Sequence, residues 1–173
     1  QSLETLIEAA IQLKEYPGVR LVLVGSGSRF AWLQAQKQVH QLDNLLLPGR
    51  FPMEAMPQIF ELADVLLVSL KDEKIFAQTI PSKIQAYLAA GRPVIASVRG
   101  EGARIVLEAG AGRACEPEDP AALAALICNM KNLPAAELQA MGQAGKAYFY
   151  EHFEMSSQVT RLVEILDTHR KER

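Results

Sequence analysis

Hydroxyl and ammonium side chains gather at one predicted helix start, within the stretch Gln78–Ser97, QTIPSKIQAYLAAGRPVIAS. Thr79 is a residue type that caps helices, Pro81 suits a first turn, and Ser82 and Lys83 follow directly. A helix start offers unpaired backbone N–H groups and the positive end of the helix dipole, which together favour phosphate. The pattern therefore predicts a phosphate site, although a plain capped helix with an exposed lysine would give the same pattern.

A short helix and a buried strand follow this start and would hold it in place. The helix Ile84–Ala90 ends at Gly91, a residue type that readily takes the left-handed conformation found after helix C-termini. Pro93–Ser97 is a continuous apolar run, the composition of a strand that is buried on both faces of a sheet. We therefore expect a loop that feeds a helix N-terminus beside a parallel sheet.

Two further loops follow predicted strands and could meet the first at one sheet edge. One reads GSGS and contains Gly25 and Gly27, but it lacks the third glycine of a dinucleotide-binding fingerprint. The other consists of Gly49, Arg50 and Phe51, whose backbone could hydrogen-bond the flat edge of a base. From the residues alone, a tight turn without a ligand explains the first loop equally well, and a turn with a solvated arginine is favoured for the second.

Strand and helix patterns alternate along the chain, which predicts an α/β fold with a Rossmann-like, doubly wound parallel sheet and helices on both faces. Ligands of such sheets bind beyond the carboxyl ends of the strands, where these loops would lie. The predicted strands are Arg20–Val24, Asn44–Leu47, Asp64–Ser69, Pro93–Ser97 and Gly112–Cys115. The predicted helices are Ser2–Leu13, Arg29–Gln41, Met53–Leu62, Ile84–Ala90, Glu101–Ala109, Glu118–Met130, Pro134–Tyr150 and Met155–Arg173.

The domain organisation follows from where this alternation stops. Residues 1–133 carry the alternating pattern, and residues 134–173 are predicted to be C-terminal helices that pack on the same domain. The chain opens on an amphipathic helix, without a start methionine and without a secretion signal. We therefore expect it to be cut from a longer polypeptide.

Composition and charge exclude several classes of protein. Of the 173 residues, 49% are hydrophobic and 22% are charged, which fits a folded globular domain. The formal net charge of −2 predicts no nucleic-acid partner, and no apolar run reaches the ~20 residues that span a bilayer. The three histidines are scattered, and Cys115 and Cys128 lack the spacing of a metal site, so we expect no metal.

The stretch PSKIQAYLAAGRPVIAS resembles the donor-binding segment of the family 4 retaining glycosyltransferases, which have GT-B architecture. RLVLVGSGS is similar to the family's second strand and glycine loop, and NLLLPGRF to the segment that touches the base. ADVLLVSL is similar to the strand before the sugar loop. The resemblance covers Gln1 to about Pro120 and is strongest for bacterial amino-sugar transferases of surface-polysaccharide synthesis. It implies the nucleotide-sugar-binding, C-terminal half of a GT-B fold, lacking its first strand.

The resemblance also implies roles for particular residues. Gly49, Arg50 and Phe51 would face the base, and Gly25 and Gly27 would form the glycine loop. The diphosphate and the donor sugar would lie against residues 78–83. In this segment the candidate catalytic side chains are Lys83 and Gln78, and the candidate donor-binding residues are Thr79, Ile80, Pro81 and Ser82.

Several positions depart from the family's pattern. The two glutamates that family members usually carry, near the donor sugar and at the ribose hydroxyls, correspond here to Gln78 and Ala86, with Gln85 beside the latter. The position of the family's diphosphate-binding lysine corresponds to Gln1. We therefore expect weaker or differently built donor binding, since losing the partners of two ribose hydroxyls costs about 1–3 kcal/mol.

The function implied is transfer of a sugar from a nucleoside diphosphate sugar, with UDP as the expected nucleotide, to a glycan or lipid-linked acceptor. The resemblance implies a retaining reaction without metal or further cofactor, and a missing N-terminal Rossmann-like domain that binds the acceptor. The expected location is the cytoplasm, with peripheral membrane association through the missing half, and this chain alone should bind donor weakly and transfer nothing. Two alternatives stay open: a non-catalytic nucleotide-sugar-binding module, which Ala86 favours, and a GT-B-type epimerase or hydrolase.

Overall fold

The computed structural model describes residues 1–156, 158–160 and 162–163. Within them the strands are β1 (Leu21–Val24), β2 (Leu45–Gly49), β3 (Leu66–Ser69), β4 (Val94–Ser97) and β5 (Gly112–Cys115). The helices are α1 (Leu3–Gln12), α2 (Phe30–Val39), α3 (Met56–Glu61), α4 (Lys74–Ala77), α5 (Ser82–Ala90), α6 (Glu101–Glu108), α7 (Pro120–Lys131) and α8 (Ala135–His152). Short 3-10 turns at Leu13–Glu15 and Met53–Ala55 complete the regular structure given for these residues.

All strand pairing is parallel, as the alternation of strands and helices predicts. β1 pairs with β2, and β3, β4 and β5 form a three-stranded group in that order, with β5 at its edge. In the three-stranded group Ser69, Ser97 and Cys115 lie side by side in register at the carboxyl ends. These strands and their flanking helices confirm the predicted α/β class. The sheet hydrogen bonds, however, fall into two groups, with no ladder between β1 and β3 among the described residues.

The core lies on both faces of the central strand β4, because its side chains alternate between two hydrophobic clusters. Ile95 packs in one cluster with buried residues of α1, α7, β1 and β2. Val94 and Ala96 pack in the other, with residues of α5 and α6 and partly buried aromatic residues of α8. Every residue of β4 is buried, which confirms the prediction from its unbroken apolar composition.

Helix α8 is held closely against α5 by two glycines. A Cβ atom added at Gly142 would lie 2.2 Å from the carbonyl oxygen of Gly91, and one at Gly145 would lie 3.0 Å from a methyl of Leu88. Helical conformation recurs after α8 in the described residues 155–156, 158–160 and 162–163. The remainder of the predicted helix Met155–Arg173 lies outside the described residues.

Candidate functional site

The loops after β1 and β2 are joined at their glycines. The N–H of Gly25 donates to the carbonyl of Gly49 at 2.8 Å, and both residues have positive φ, 146° and 86°. A side chain at either position would be strained, so the backbone path itself requires glycine. Gly27, Arg50 and Phe51 are exposed. The structure therefore brings the two predicted glycine loops together and leaves the Arg50 and Phe51 side chains at the surface.

The residue that precedes α2 is tied to the N-terminal turn of α1. Arg29, which follows the loop after β1, forms an ion pair with Glu4 at 2.5 Å. The Arg29 hydrogen bond lowers the pKa of Glu4, and the positive charge of Lys71 in the loop after β3 also contributes to the lowering. The ion pair therefore fixes the end of the glycine loop against α1.

The segment after β3 differs from its predicted form. The stretch from Lys71 to Gln78, where no helix was predicted, contains the short helix α4. The hydroxyl of Thr79 donates to the carbonyl of Ile75 at 3.1 Å, one turn back toward α4. The prediction that Thr79 caps the following helix is therefore wrong, because its side chain is committed to the preceding turn.

Helix α5 begins at Ser82 without a side-chain cap. Its N-cap residue is Pro81, with extended backbone (φ −60°, ψ 132°) and no hydroxyl or carboxylate to offer. The N–H of Ile84 donates to the carbonyl of Pro81 at 2.9 Å. The N–H groups of Ser82 and Lys83 have no acceptor in the described part of the chain. The helix therefore starts uncapped after Pro81 rather than at Thr79, and the phosphate site at this start stays a prediction.

The polar side chains around this helix start are accessible. Gln78, Thr79, Ser82 and Lys83 are exposed, while Ile80 packs against the cluster on the α5 side. Although Lys83 reaches the surface, neighbouring protein removes part of its water, and this desolvation lowers the pKa of its ammonium group. An ammonium that is incompletely hydrated gains more from an anion than a fully solvated one, so Lys83 suits a phosphate partner.

The second departure from the family pattern is visible on the surface of α5. Ala86 is exposed and presents only a methyl group, and Gln85 beside it is partly buried. The methyl group of Ala86 accepts no hydrogen bond, whereas the glutamate that the resemblance predicts at this position would offer a carboxylate.

An arginine that is not among the predicted site residues ties three loops together. Arg99, between β4 and α6, pairs with Asp72 after β3 at 2.6 Å and with Glu116 after β5 at 2.5 Å. The N–H of Asp72 donates to a carboxylate oxygen of Glu118 at 3.0 Å. The Glu116 hydrogen bond, followed by the charge of Asp72, raises the pKa of the Arg99 guanidinium. The only signal in the sequence was an arginine placed between a strand end and a glycine.

Gly100, next to Arg99, is in close backbone contact with α4. It has φ 76° and ψ −139°, and a Cβ atom built on it would lie 2.0 Å from the carbonyl oxygen of Ala77. Gly102, the second residue of α6, approaches Pro81 and Ile84, with its added Cβ 3.3 Å and 3.0 Å from their side-chain atoms. The residues at the start of α6 therefore pack closely against the segment from residue 77 to residue 84.

The predicted site residues form two groups at the carboxyl edge. One consists of Gly25, Gly27 and residues 49–51, and the other of residues 78–83; no hydrogen bond or ion pair joins the two groups in the described residues. A cavity of about 230 Å³ lies instead between α1 and α7 and contains none of these residues. Residues 1–156, 158–160 and 162–163 contain no group of three metal-ligating side chains and no helix able to cross a bilayer.

Exposed N–H groups, glycine loops and a lysine at the carboxyl ends of parallel strands are the features of α/β proteins that hold nucleotides or phosphates at a sheet edge. Comparison with known proteins gives the family. Residues 1–132 match the glycosyl transferases group 1, and the chain belongs to this family.

A relative and two solved structures show how far the similarity extends. A probable glycosyltransferase, WbjE from Pseudomonas aeruginosa, is 31% identical over 140 residues, which are 80% of this chain and 34% of that protein. Sucrose-phosphate synthase from Thermosynechococcus elongatus has a similar fold, with TM-score 0.76, 23% identity and coverage of 99% of this chain and 43% of that one. HepE from Anabaena, in complex with UDP and glucose, has TM-score 0.74, 20% identity and coverage of 96% and 44%. The chain thus spans less than half the length of these proteins.

Proposed function

We propose that this chain is the donor-binding domain of a retaining glycosyltransferase that uses a UDP-linked sugar. The observation that carries the proposal is the uncapped start of α5, where the N–H groups of Ser82 and Lys83 have no acceptor among the described residues and lie beside an exposed ammonium. Family membership supports transfer of a sugar, and the fold shared with HepE, solved with UDP and glucose, supports the nucleotide. The similarity to WbjE, a probable glycosyltransferase, supports the same class of reaction, and the amino-sugar donor of bacterial surface-polysaccharide synthesis is proposed from the resemblance of residues 81–97 alone.

In this proposal the helix start holds the pyrophosphate and assists its departure. Negative charge develops on the diphosphate as the bond to the sugar breaks, and the two N–H groups and Lys83 stabilise that charge. Gln78, which directly precedes the turn into α5, contacts the donor sugar through its amide. The base lies against Gly49, Arg50 and Phe51, where the backbone is bent by the positive φ of Gly49 and the aromatic ring is exposed.

The strand pairing supports the proposed domain arrangement, residues 1–133 as a Rossmann-like unit with residues 134–173 packed on it. In the doubly wound order 3-2-1-4-5-6, removing strand 1 leaves a pair and a triplet of strands. That is the observed division into β1 with β2 and β3 with β4 and β5. We place an acceptor-binding Rossmann-like domain elsewhere in the full protein. Two free cysteines fit a reducing compartment, so we propose the cytoplasm, with any membrane contact made by that other domain.

Titration of the full-length protein with UDP, followed by amide chemical shifts, tests the proposal. We expect shifts at residues 25–28, 49–51 and 78–83, weaker shifts with UMP, and a loss of about tenfold or more in UDP affinity for Lys83→Met. A matched control is Lys37→Met, which removes an ammonium from the last turn of α2. Absence of UDP-induced shifts in all three segments contradicts the proposal.

A binding module without catalysis is the second candidate, because Ala86 leaves the ribose side of α5 without a carboxylate. The two functions are separated by measuring sugar transfer or UDP release from UDP-sugars with the full-length protein. Binding of UDP together with no turnover of any donor, in the presence of lipid-linked and glycan acceptors, favours the module. Turnover that is abolished in Lys83→Met favours the transferase.

A further inference from the structure

Residues 71–83, which run from the end of β3 to the start of α5, contain the proposed sugar and pyrophosphate contacts but have few internal bonds. Their internal hydrogen bonds are local, such as that from the Thr79 hydroxyl to the Ile75 carbonyl. Most of the polar side chains in the segment are exposed. A segment of this kind keeps a fixed position only if other parts of the protein hold it.

Two of the contacts that hold the segment come from Arg99 and Gly100, which directly precede α6. The first is the ion pair of Arg99 with Asp72, at 2.6 Å. The second is the close approach of Gly100 to the carbonyl of Ala77, which leaves no room for a side chain. Asp72 lies two positions before α4 and Ala77 is its last residue, so the helix is held near both ends, and Gln78 follows directly after the second contact.

Arg99 is itself anchored. Its Nε and one terminal nitrogen donate to the same carboxylate oxygen of Glu116, at 3.1 Å and 2.5 Å, and the other terminal nitrogen donates to Asp72. Glu116 directly follows the edge strand β5, and the backbone carbonyl of Glu116 accepts from the hydroxyl of Ser97 at 3.4 Å. All three guanidinium nitrogens are therefore engaged by carboxylates that belong to the ends of two different strands.

We propose that Arg99 is a positioning residue for donor binding: it ties the loop after β3 to the loop after β5 and thereby fixes residues 78–83 against the donor. This inference rests on the proposed function. In this role Arg99 acts through Asp72 rather than on the donor itself, since each of its three nitrogens directs one N–H to a carboxylate of the protein. Its loss leaves the helix start of α5 intact but lets the segment before it move, which raises the KM for the donor more than it lowers kcat.

The chain offers a matched control in Arg104. Arg104 is as exposed as Arg99, with 52% and 55% of the side chain accessible, and it also pairs with two carboxylates, Glu101 and Glu108. Its partners, however, belong to its own helix α6, so it ties no loops together. Arg104→Gln therefore removes a similar charge and similar ion pairs without releasing residues 71–78.

The test measures the donor KM and kcat of the full-length protein for Arg99→Gln, Asp72→Asn and the double variant, with Arg104→Gln as control. We expect a rise of about three- to tenfold in donor KM for each single variant, no further rise in the double variant, and a nearly unchanged kcat. Arg99→Lys, which keeps one ion pair, should recover part of the loss. Arg104→Gln should behave as wild type.

Two results overturn the inference. One is a wild-type KM in Arg99→Gln. The other is recovery of affinity when Asp72→Asn is added to Arg99→Gln, since that outcome assigns the effect to an unneutralised carboxylate repelling the donor. If the wild-type protein binds no donor, the proposed function is wrong. Hydrogen exchange of residues 74–83 then tests separately whether Arg99 holds this segment in place. Faster exchange in Arg99→Gln than in Arg104→Gln supports it, and equal exchange refutes it.

Discussion

Replacement of Gly100 by alanine should damage both the stability of the fold and the proposed donor site. Two independent constraints act at this residue. Its backbone, with φ 76° and ψ −139°, lies in a region that only glycine adopts without strain. In addition, the new methyl group would lie 2.0 Å from the carbonyl oxygen of Ala77, and that neighbour is backbone rather than a flexible side chain.

The expected loss is the sum of these two effects. A residue held in a glycine-only conformation costs about 1–3 kcal/mol. Overpacking adds about 1–3 kcal/mol, because the segment before α5 must move by roughly an ångström to relieve the contact. We therefore expect Gly100→Ala to lower the free energy of unfolding by about 2–6 kcal/mol. The same displacement moves Gln78, so donor affinity should fall in whatever fraction remains folded.

Gly91→Ala, at the C-terminal end of α5, is the matched control for Gly100→Ala. Gly91 has φ 68° and ψ 32°, a left-handed conformation that costs alanine about 1–2 kcal/mol. Its added methyl would meet the side chain of Lys146 at 3.2 Å, which can move aside. Urea unfolding of both variants, followed by UDP titration, measures the difference. A loss of stability in Gly100→Ala no larger than that in Gly91→Ala would refute the reasoning.

Two other predictions concern the ligand-facing residues. Desolvation lowers the pKa of Lys83 in the folded protein. Between that lowered pKa and about 10.4, the unfolded chain therefore binds more protons than the folded one, so the contribution of Lys83 to stability rises with pH in this window. In the proposed site UDP binding needs the ammonium, so it should fall as pH rises through the lowered pKa. In Lys83→Arg the binding should persist to higher pH. Identical pH profiles of UDP binding for the wild type and Lys83→Arg would contradict this role. In Gly27→Ala the added Cβ has no neighbouring atom within 4 Å, so the free energy of unfolding should change by less than about 0.5 kcal/mol. UDP affinity should fall, and an unchanged affinity would show that the loop does not approach the nucleotide.

The sequence predicted the strands and the helix ends best where the determinants are local. The run Pro93–Ser97 predicted a strand buried on both faces, and β4 is buried at every position. Gly91 was expected to end its helix in a left-handed conformation, and its φ of 68° confirms this. Both outcomes depend on residue composition over a few positions, which a sequence displays directly.

The errors arose where neighbours in space decide the structure. Four residues of α4 are too few to be stable as an isolated helix, and its ends are fixed by Arg99 and Gly100 from another part of the chain. Thr79 was predicted to cap the helix that follows it, but its hydroxyl reaches back to Ile75 once α4 has formed. Arg99 could not be recognised because its partners lie 17 and 27 positions away.

The division of the strands has a consequence for how the proposed donor would be held. The loops proposed for the base follow β1 and β2, and the segment proposed for the sugar and pyrophosphate follows β3. No ladder joins these two groups in the described residues, so their separation depends on side-chain packing, such as that of Leu67 and Ile95 with the cluster under α1. A nucleotide that contacts both groups would itself bridge them. Affinity for UDP should therefore exceed what its uridine and pyrophosphate parts achieve when supplied separately, because one molecule then pays the cost of ordering both groups.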